Sequence, residues 1–262
     1  MNSSAARRHP AALMMLLLGA LAVIGTAYAL VTTNSQARAA GAPSSETQVE
    51  EGRALYLEGC SSCHGLNAEG TAVAPNLIGA GAAAVHFQVA TGRMPMAAPA
   101  VQVERKAPSY DEEQTAALAA YIAALGPGPA IPTAEELDTT NANLAVGGEL
   151  FRTNCAQCHN FAGRGAALTE GKWAPSLMVA TPQEVYEAML TGPQNMPVFG
   201  DGTLSVPEKQ DILKYVAHLQ DQTQPGGSGL GAFGPVTEGL MIFTLALGLM
   251  LGAAVWIGAK VR

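Results

Sequence analysis

Charge is scarce in this chain: Asp, Glu, Lys and Arg together make up 13% of its 262 residues. Positive charge is scarcer still, with 14 Lys and Arg against 21 Asp and Glu. Between Ser35 and Gly234 the balance is ten basic to twenty acidic residues. That excludes a nucleic-acid surface, which needs a basic patch; it suits a solvated extracellular face or the attraction of a basic partner. Alternation of apolar and polar residues with period two is lacking, so no substantial sheet is expected. Cysteine numbers four. All four fall in two short motifs, which leaves none for a structural disulfide.

Those motifs are Cys60-Ser-Ser-Cys63-His64 and Cys155-Ala-Gln-Cys158-His159. Cys-x-x-Cys-His is the spacing of c-type haem attachment: both thiols form thioethers to the haem vinyl groups, and the adjacent imidazole becomes the proximal iron ligand. Two covalently bound haem c groups are therefore expected. A redox dithiol belongs in a strand–helix pattern that surrounds neither motif. A four-cysteine zinc site gives no reason for a histidine after both pairs. Two haems, with little else that looks catalytic, point to electron transport.

Hydrophobic residues reach 48% and gather at the two ends. Residues 11–31 and 239–259 carry no charge, and each run matches the roughly 20 residues a helix needs to cross hydrocarbon. Arg7 and Arg8 precede the first run, and Lys260 and Arg262 follow the second. By the positive-inside tendency both ends lie in the cytoplasm, and everything between lies outside the cell membrane. The first run also fits a secretory signal peptide, with Ala37-Arg38-Ala39 as a small-residue cleavage site. It exceeds the usual apolar region of about 7 to 15 residues, which favours a retained anchor. The expected organisation is a cytoplasmic tip and anchor (1–34), a first domain (35–126), a stiff linker (127–142), a second domain (143–223), a glycine-rich linker (224–238), a transmembrane helix (239–259) and a cytoplasmic tail (260–262).

The two domains repeat one plan. Gly52-Arg-Ala-Leu-Tyr56 and Gly147-Gly-Glu-Leu-Phe151 precede the motifs, on helices expected over about 47–58 and 143–153. After each motif come a glycine-rich loop and a Pro-x-Leu element, Pro75-Asn76-Leu77 and Pro175-Ser176-Leu177. A helical stretch ending in Thr-Gly follows (83–92, 181–192), then Met94-Pro95 or Met196-Pro197, then an amphipathic closing helix. Asp111 with Gln114 and Ser205 with Glu208 mark the starts of the closing helices. Residues 97–109, with Glu104-Arg105-Lys106, have no counterpart in the second half and read as a solvated insertion, or else as a contact loop.

The proximal ligands are then His64 and His159. A methionine thioether commonly fills the sixth position and raises the reduction potential. Met196 is the candidate in the second half. In the first half Met94 and Met96 compete, and the repeat aligns Met94 with Met196. Met178 and Met189 read as packing residues. His86, opposite Tyr186 in the repeat, reads as a packing or hydrogen-bonding residue, and His218 as a surface one. Arg93, Arg164 and Trp173 are candidates to face a haem propionate.

With two class I haem halves, short linkers and an apolar run at each end, the chain resembles the dihaem cytochrome c subunit of the actinobacterial quinol–cytochrome c reductase, the cytochrome bcc complex. The likeness rests on both motifs, on Thr91-Gly-Arg-Met94-Pro95 and Gly192-Pro-Gln-Asn-Met196-Pro197, and on Gly231-Ala-Phe-Gly-Pro-Val-Thr-Glu-Gly239 entering the last helix. It implies an all-α fold of two tandem class I cytochrome c domains with N- and C-terminal transmembrane helices. It also implies an electron-transfer subunit of a translocase, not catalytic alone. Electrons from menaquinol would leave the cytochrome b and Rieske iron–sulfur subunits, pass the two haems and reach an aa3-type cytochrome c oxidase. His64 and Met94 would ligate one iron, His159 and Met196 the other. The competing functions are a dihaem subunit of another respiratory enzyme, such as a cbb3-type oxidase or a dehydrogenase, a dihaem peroxidase, and a membrane-bound electron buffer. A peroxidase needs an open sixth position, and methionines in both loops argue against one.

Overall fold

The computed structural model describes residues 10–39, 46–222 and 235–260. Arg7, Arg8, Arg262 and the stretch 224–234 invoked above lie outside the described residues. Chain contacts divide the molecule into two compact units. One holds the residues up to Pro95 together with Arg105–Ile131; the other holds Met96–Glu104 and everything from Pro132 onward.

In the first unit α2 (Glu46–Gly59) leads into the single turn α3 (Ser61–His64), followed by α4 (Gly81–Ala90) and α5 (Glu112–Leu125). A capping box starts α5: Asp111 Oδ1 accepts from the Gln114 N–H at 2.8 Å, and Gln114 Oε1 accepts from the Asp111 N–H at 3.1 Å. The α2–α5 crossing is nearly backbone on backbone. Gly52 is buried there, and a Cβ on it would collide with the Ala117 carbonyl. Beside the crossing the Tyr56 and Tyr121 rings meet at 5.3 Å. Tyr56, Ala68, Val89, Leu118, Tyr121 and Ile122 form the core.

The second unit repeats this with α7 (Leu144–Asn154), α8 (Ala156–His159), α9 (Pro182–Thr191) and α10 (Val206–Asp221). Gly147 stands to the Asp211 carbonyl as Gly52 does to Ala117, and Phe151 meets Tyr215 at 5.3 Å. Met189 lies in the core with Tyr186, Ile212 and Val216, as its helical spacing suggests. The strand content among the described residues is one two-residue ladder, β1 (Ala166–Ala167) against β2 (Trp173–Ala174).

The segment expected as a linker, 127–142, divides between the two units. Its first part joins the first unit, where the Ala83 N–H donates to the Pro129 carbonyl at 3.0 Å. Its second part forms α6 (Ala134–Leu137) in the other unit, where Gln210 donates to the Glu135 carbonyl and Lys214 to the Ala142 carbonyl, both at 2.7 Å. Polar side chains of α10 thus satisfy carbonyls that the sequence pattern leaves without partners.

At the ends are α1 (Pro10–Ala39) and α11 (Pro235–Lys260). Thr237–Ala259 is 23 residues long with a mean hydropathy of 2.3, about 35 Å of helix at 1.5 Å per residue. Among the described residues it is the one stretch long and apolar enough to cross a membrane. The second span expected over 11–31 is not evident. The apolar stretch of α1 runs Met14–Tyr28, about 22 Å against a hydrocarbon core of about 30 Å. Thr26, whose hydroxyl donates back to the Ala22 carbonyl at 2.8 Å, and Tyr28 bring polar atoms into its final turns.

Candidate functional site

Each motif is a helix end folded under a loop. α2 reaches Cys60, α3 carries Cys63 and His64, and Gly65 at φ +86° turns the chain away. The Tyr56 hydroxyl donates to the Gly65 carbonyl at 2.7 Å, bracing that turn. His64 is buried, and its Nδ1 donates to the Pro75 carbonyl at 2.8 Å. In the second unit α7 reaches Cys155, α8 carries Cys158 and His159, and His159 Nδ1 donates to the Pro175 carbonyl at 2.9 Å. A carbonyl can only accept, so the proton sits on Nδ1 and Nε2 keeps its lone pair for a metal. The Pro-x-Leu repeat is therefore the orienting shelf of each imidazole, a role its sequence does not announce. Burial outweighs the Pro175 contact and lowers the His159 pKa, favouring the neutral ring.

All four thiols are free. Cys60 and Cys155 are half-buried and burial pushes each up to about 11, while Cys63 and Cys158 are exposed. A redox dithiol needs the opposite shift, toward a thiolate at neutral pH. Nor do three or more His, Cys, Asp or Glu residues cluster as a metal site among the described residues, so the zinc reading gains no support.

Met94, Cys60 and Leu77 each lie half-buried against the first core, and Met196, Cys155 and Leu177 against the second. Met96 falls in the second unit. Gly192, at φ +57°, ends α9 and turns the chain into the Met196 loop; a Cβ there would press on the Met196 carbonyl and Val198. Arg93 is buried with its guanidinium 4.7 Å over the Phe87 ring, whereas Arg164 is exposed. His218 is exposed, 3.0 Å from the Gln222 side chain. His86 lies half-buried in α4, away from either motif in sequence, and its counterpart Tyr186 is a core residue.

The loops after the motifs expose large apolar side chains: Leu66, Val73 and Ile78 in the first unit, Phe161, Val179 and Val198 in the second. An isolated exposed leucine needs no explanation. Several such side chains in each unit leave apolar surface that a porphyrin could cover. Free thiols, an oriented imidazole, a thioether and this apolar surface together fit haem c.

Nothing in the residue pattern marks Gln102 and Gln194. The Gln102 side chain bonds the Trp173 backbone and the Gln194 side chain bonds the Val103 backbone. The insertion is thus anchored rather than simply solvated. The partners are backbone groups about 70 and 90 residues distant, which no local pattern marks.

Residues 49–126 match the family model for cytochrome c, and residues 142–216 the model for subunit III of cbb3-type cytochrome c oxidase. The cytochrome bc1 complex cytochrome c subunit of Corynebacterium diphtheriae is 44% identical over 269 residues, 97% of this chain and 95% of that one. The same subunit of Corynebacterium efficiens is 43% identical over 274 residues, covering 99% and 92%. That of Mycobacterium leprae is 45% identical over 252 residues, covering 94% and 87%. The chain belongs to the family of cytochrome bc1 complex cytochrome c subunits. Cytochrome c domains carry covalently bound haem c, the group that the thiols and imidazoles of this bc1 family member fit. The cbb3-type match covers the second domain alone and reflects a shared domain type.

Proposed function

We propose that this chain is the membrane-anchored dihaem arm of a bc1 complex. It takes single electrons from a Rieske iron–sulfur subunit seated with cytochrome b and delivers them to an aa3-type cytochrome c oxidase. When bound, haem c supplies one-electron exchange between ferric and ferrous iron. Cys60 and Cys63 would hold one haem, with His64 and Met94 as its iron ligands. Cys155 and Cys158 would hold the other, with His159 and Met196. Residues 35–126 and 143–223 form the two haem domains outside the membrane, joined by 127–142. The segment 224–238 leads to the span 239–259 and the cytoplasmic tail 260–262. Residues 1–34, with the apolar run 11–31, would serve as a second anchor or as a signal peptide.

The observation that carries this reading is the duplicated pair of buried imidazoles, each oriented by a proline carbonyl. Two complete sites in one chain favour relay over substrate chemistry. Met94 lies against the same core as Cys60, whereas Met96 falls in the second unit, which supports Met94 over Met96 as ligand. Met94 and Met196 would each occupy the remaining iron position and so keep a small oxidant away.

Purification in mild detergent through a tag on this chain tests the assignment. Cytochrome b, Rieske and oxidase subunits are expected to co-elute in fixed ratio. Recovery of this chain alone would contradict it.

A further inference from the structure

Residues Met96–Glu104 leave the chain two positions after Met94, yet belong to the second unit. They are fixed there by two bidentate pairs between a carboxamide and a peptide group. Gln102 Nε2 donates to the Trp173 carbonyl at 2.6 Å, and its Oε1 accepts from the Trp173 N–H at 2.7 Å. In the other direction, Gln194 Nε2 donates to the Val103 carbonyl and Oε1 accepts from the Val103 N–H, both at 3.3 Å. Lys172 Nζ also donates to Asn195 Oδ1 at 3.2 Å. Trp173 stands two residues before Pro175, whose carbonyl orients His159. Gln194 stands two residues before Met196. The strap therefore ties the segment that orients the histidine to the loop that carries the methionine.

We propose that Gln102 and Gln194 are positioning residues that hold the Met196 loop closed over the second haem. The proposal rests on the reading that Met196 is that haem's sixth ligand. A thioether is a neutral, weak donor, and its bond to iron persists only while the loop keeps the sulfur in place. Pro193 and Pro197 flank that loop and supply no N–H to hold it. Gln194 itself sits at φ +58°, a conformation few non-glycine residues adopt, and its side chain is bonded to the strap. These bonds lie at the surface, so their loss loosens the loop without unfolding the domain.

The test is the double variant Gln102→Ala/Gln194→Ala in the assembled full-length protein, with Met196→Ala alongside. Three properties are read: the weak red sulfur-to-iron charge-transfer band of the ferric haems, the two midpoint potentials, and carbon monoxide binding by the ferrous protein. Met196→Ala is expected to remove half of the band. The double variant is expected to lose a large part of that same half, to lower one midpoint potential and to gain carbon monoxide binding at one haem, with the other haem and the thermal midpoint unchanged. A double variant matching wild type in all three, while Met196→Ala halves the band, would overturn the positioning role. A full band in Met196→Ala would instead overturn the ligand assignment, and the positioning role with it.

Discussion

His64 and His159 are each held by a proline carbonyl, and the choice of acceptor matters chemically. A carbonyl fixes the tautomer and the ring plane without adding a charge beside the iron, whereas a carboxylate would raise the basicity of the ligand further and favour the ferric state. On the other side the proposed thioether ligand would favour the ferrous state. Both choices would push toward a high potential, as the proposed relay requires. Replacing Met94 by Ala is expected to lower one midpoint potential and open that haem to carbon monoxide, while Met96→Ala leaves both properties unchanged. A redox titration of the two variants checks this, and an inert Met94→Ala would reassign the ligand. Tyr56→Phe removes the bond to the Gly65 carbonyl and is expected to destabilise the first domain by about 1 kcal/mol, read by denaturant unfolding. The Cys and His residues were legible because they are contiguous. Their carbonyl partners were not, since a peptide oxygen has no letter in the sequence.

At the scale of elements, the helix starts and the glycine crossings carry most of the design. Helices expected over 47–58 and 143–153 occupy 46–59 and 144–154, because apolar spacing, and for the second the Asn143 cap, marks them in the residues themselves. The strap and the packed linker escaped notice because what holds them is distant backbone. Gly52 and Gly147 were visible as repeat landmarks, but their purpose, close approach to a facing carbonyl, needed the partner helix. Gly52→Ala or Gly147→Ala is expected to force the two helices apart and to destabilise the affected domain by about 1–3 kcal/mol, measured as a lower thermal midpoint and reduced haem retention. At the start of α10 the Glu208 carboxylate accepts from the Ser205 hydroxyl and N–H, both at 2.7 Å, which holds its pKa below the ordinary glutamate value. A lowered folded pKa stabilises the fold at neutral pH, and that contribution fades as pH falls from the ordinary value through the folded one. Ser205→Ala should therefore weaken the second domain at pH 7 and flatten its stability loss on acidification. Equal sensitivity of variant and wild type to acid would contradict this.

At the scale of the whole molecule, two domains on one plan share a chain that ends in an apolar helix of 23 residues. Each domain has a small core, and a covalently held porphyrin would complete it. Folding and haem attachment are then coupled within a domain and independent between domains. Duplication also explains why so much was legible: each half of the sequence served as a control for the other, and the unmatched part, 97–109, had no such control. The most direct measurement is the pyridine haemochrome content of the purified chain. Two covalently retained haems per polypeptide are expected, falling to one when Cys155 and Cys158 are both replaced by Ser. Fewer than two in the unaltered chain would contradict the two-site account.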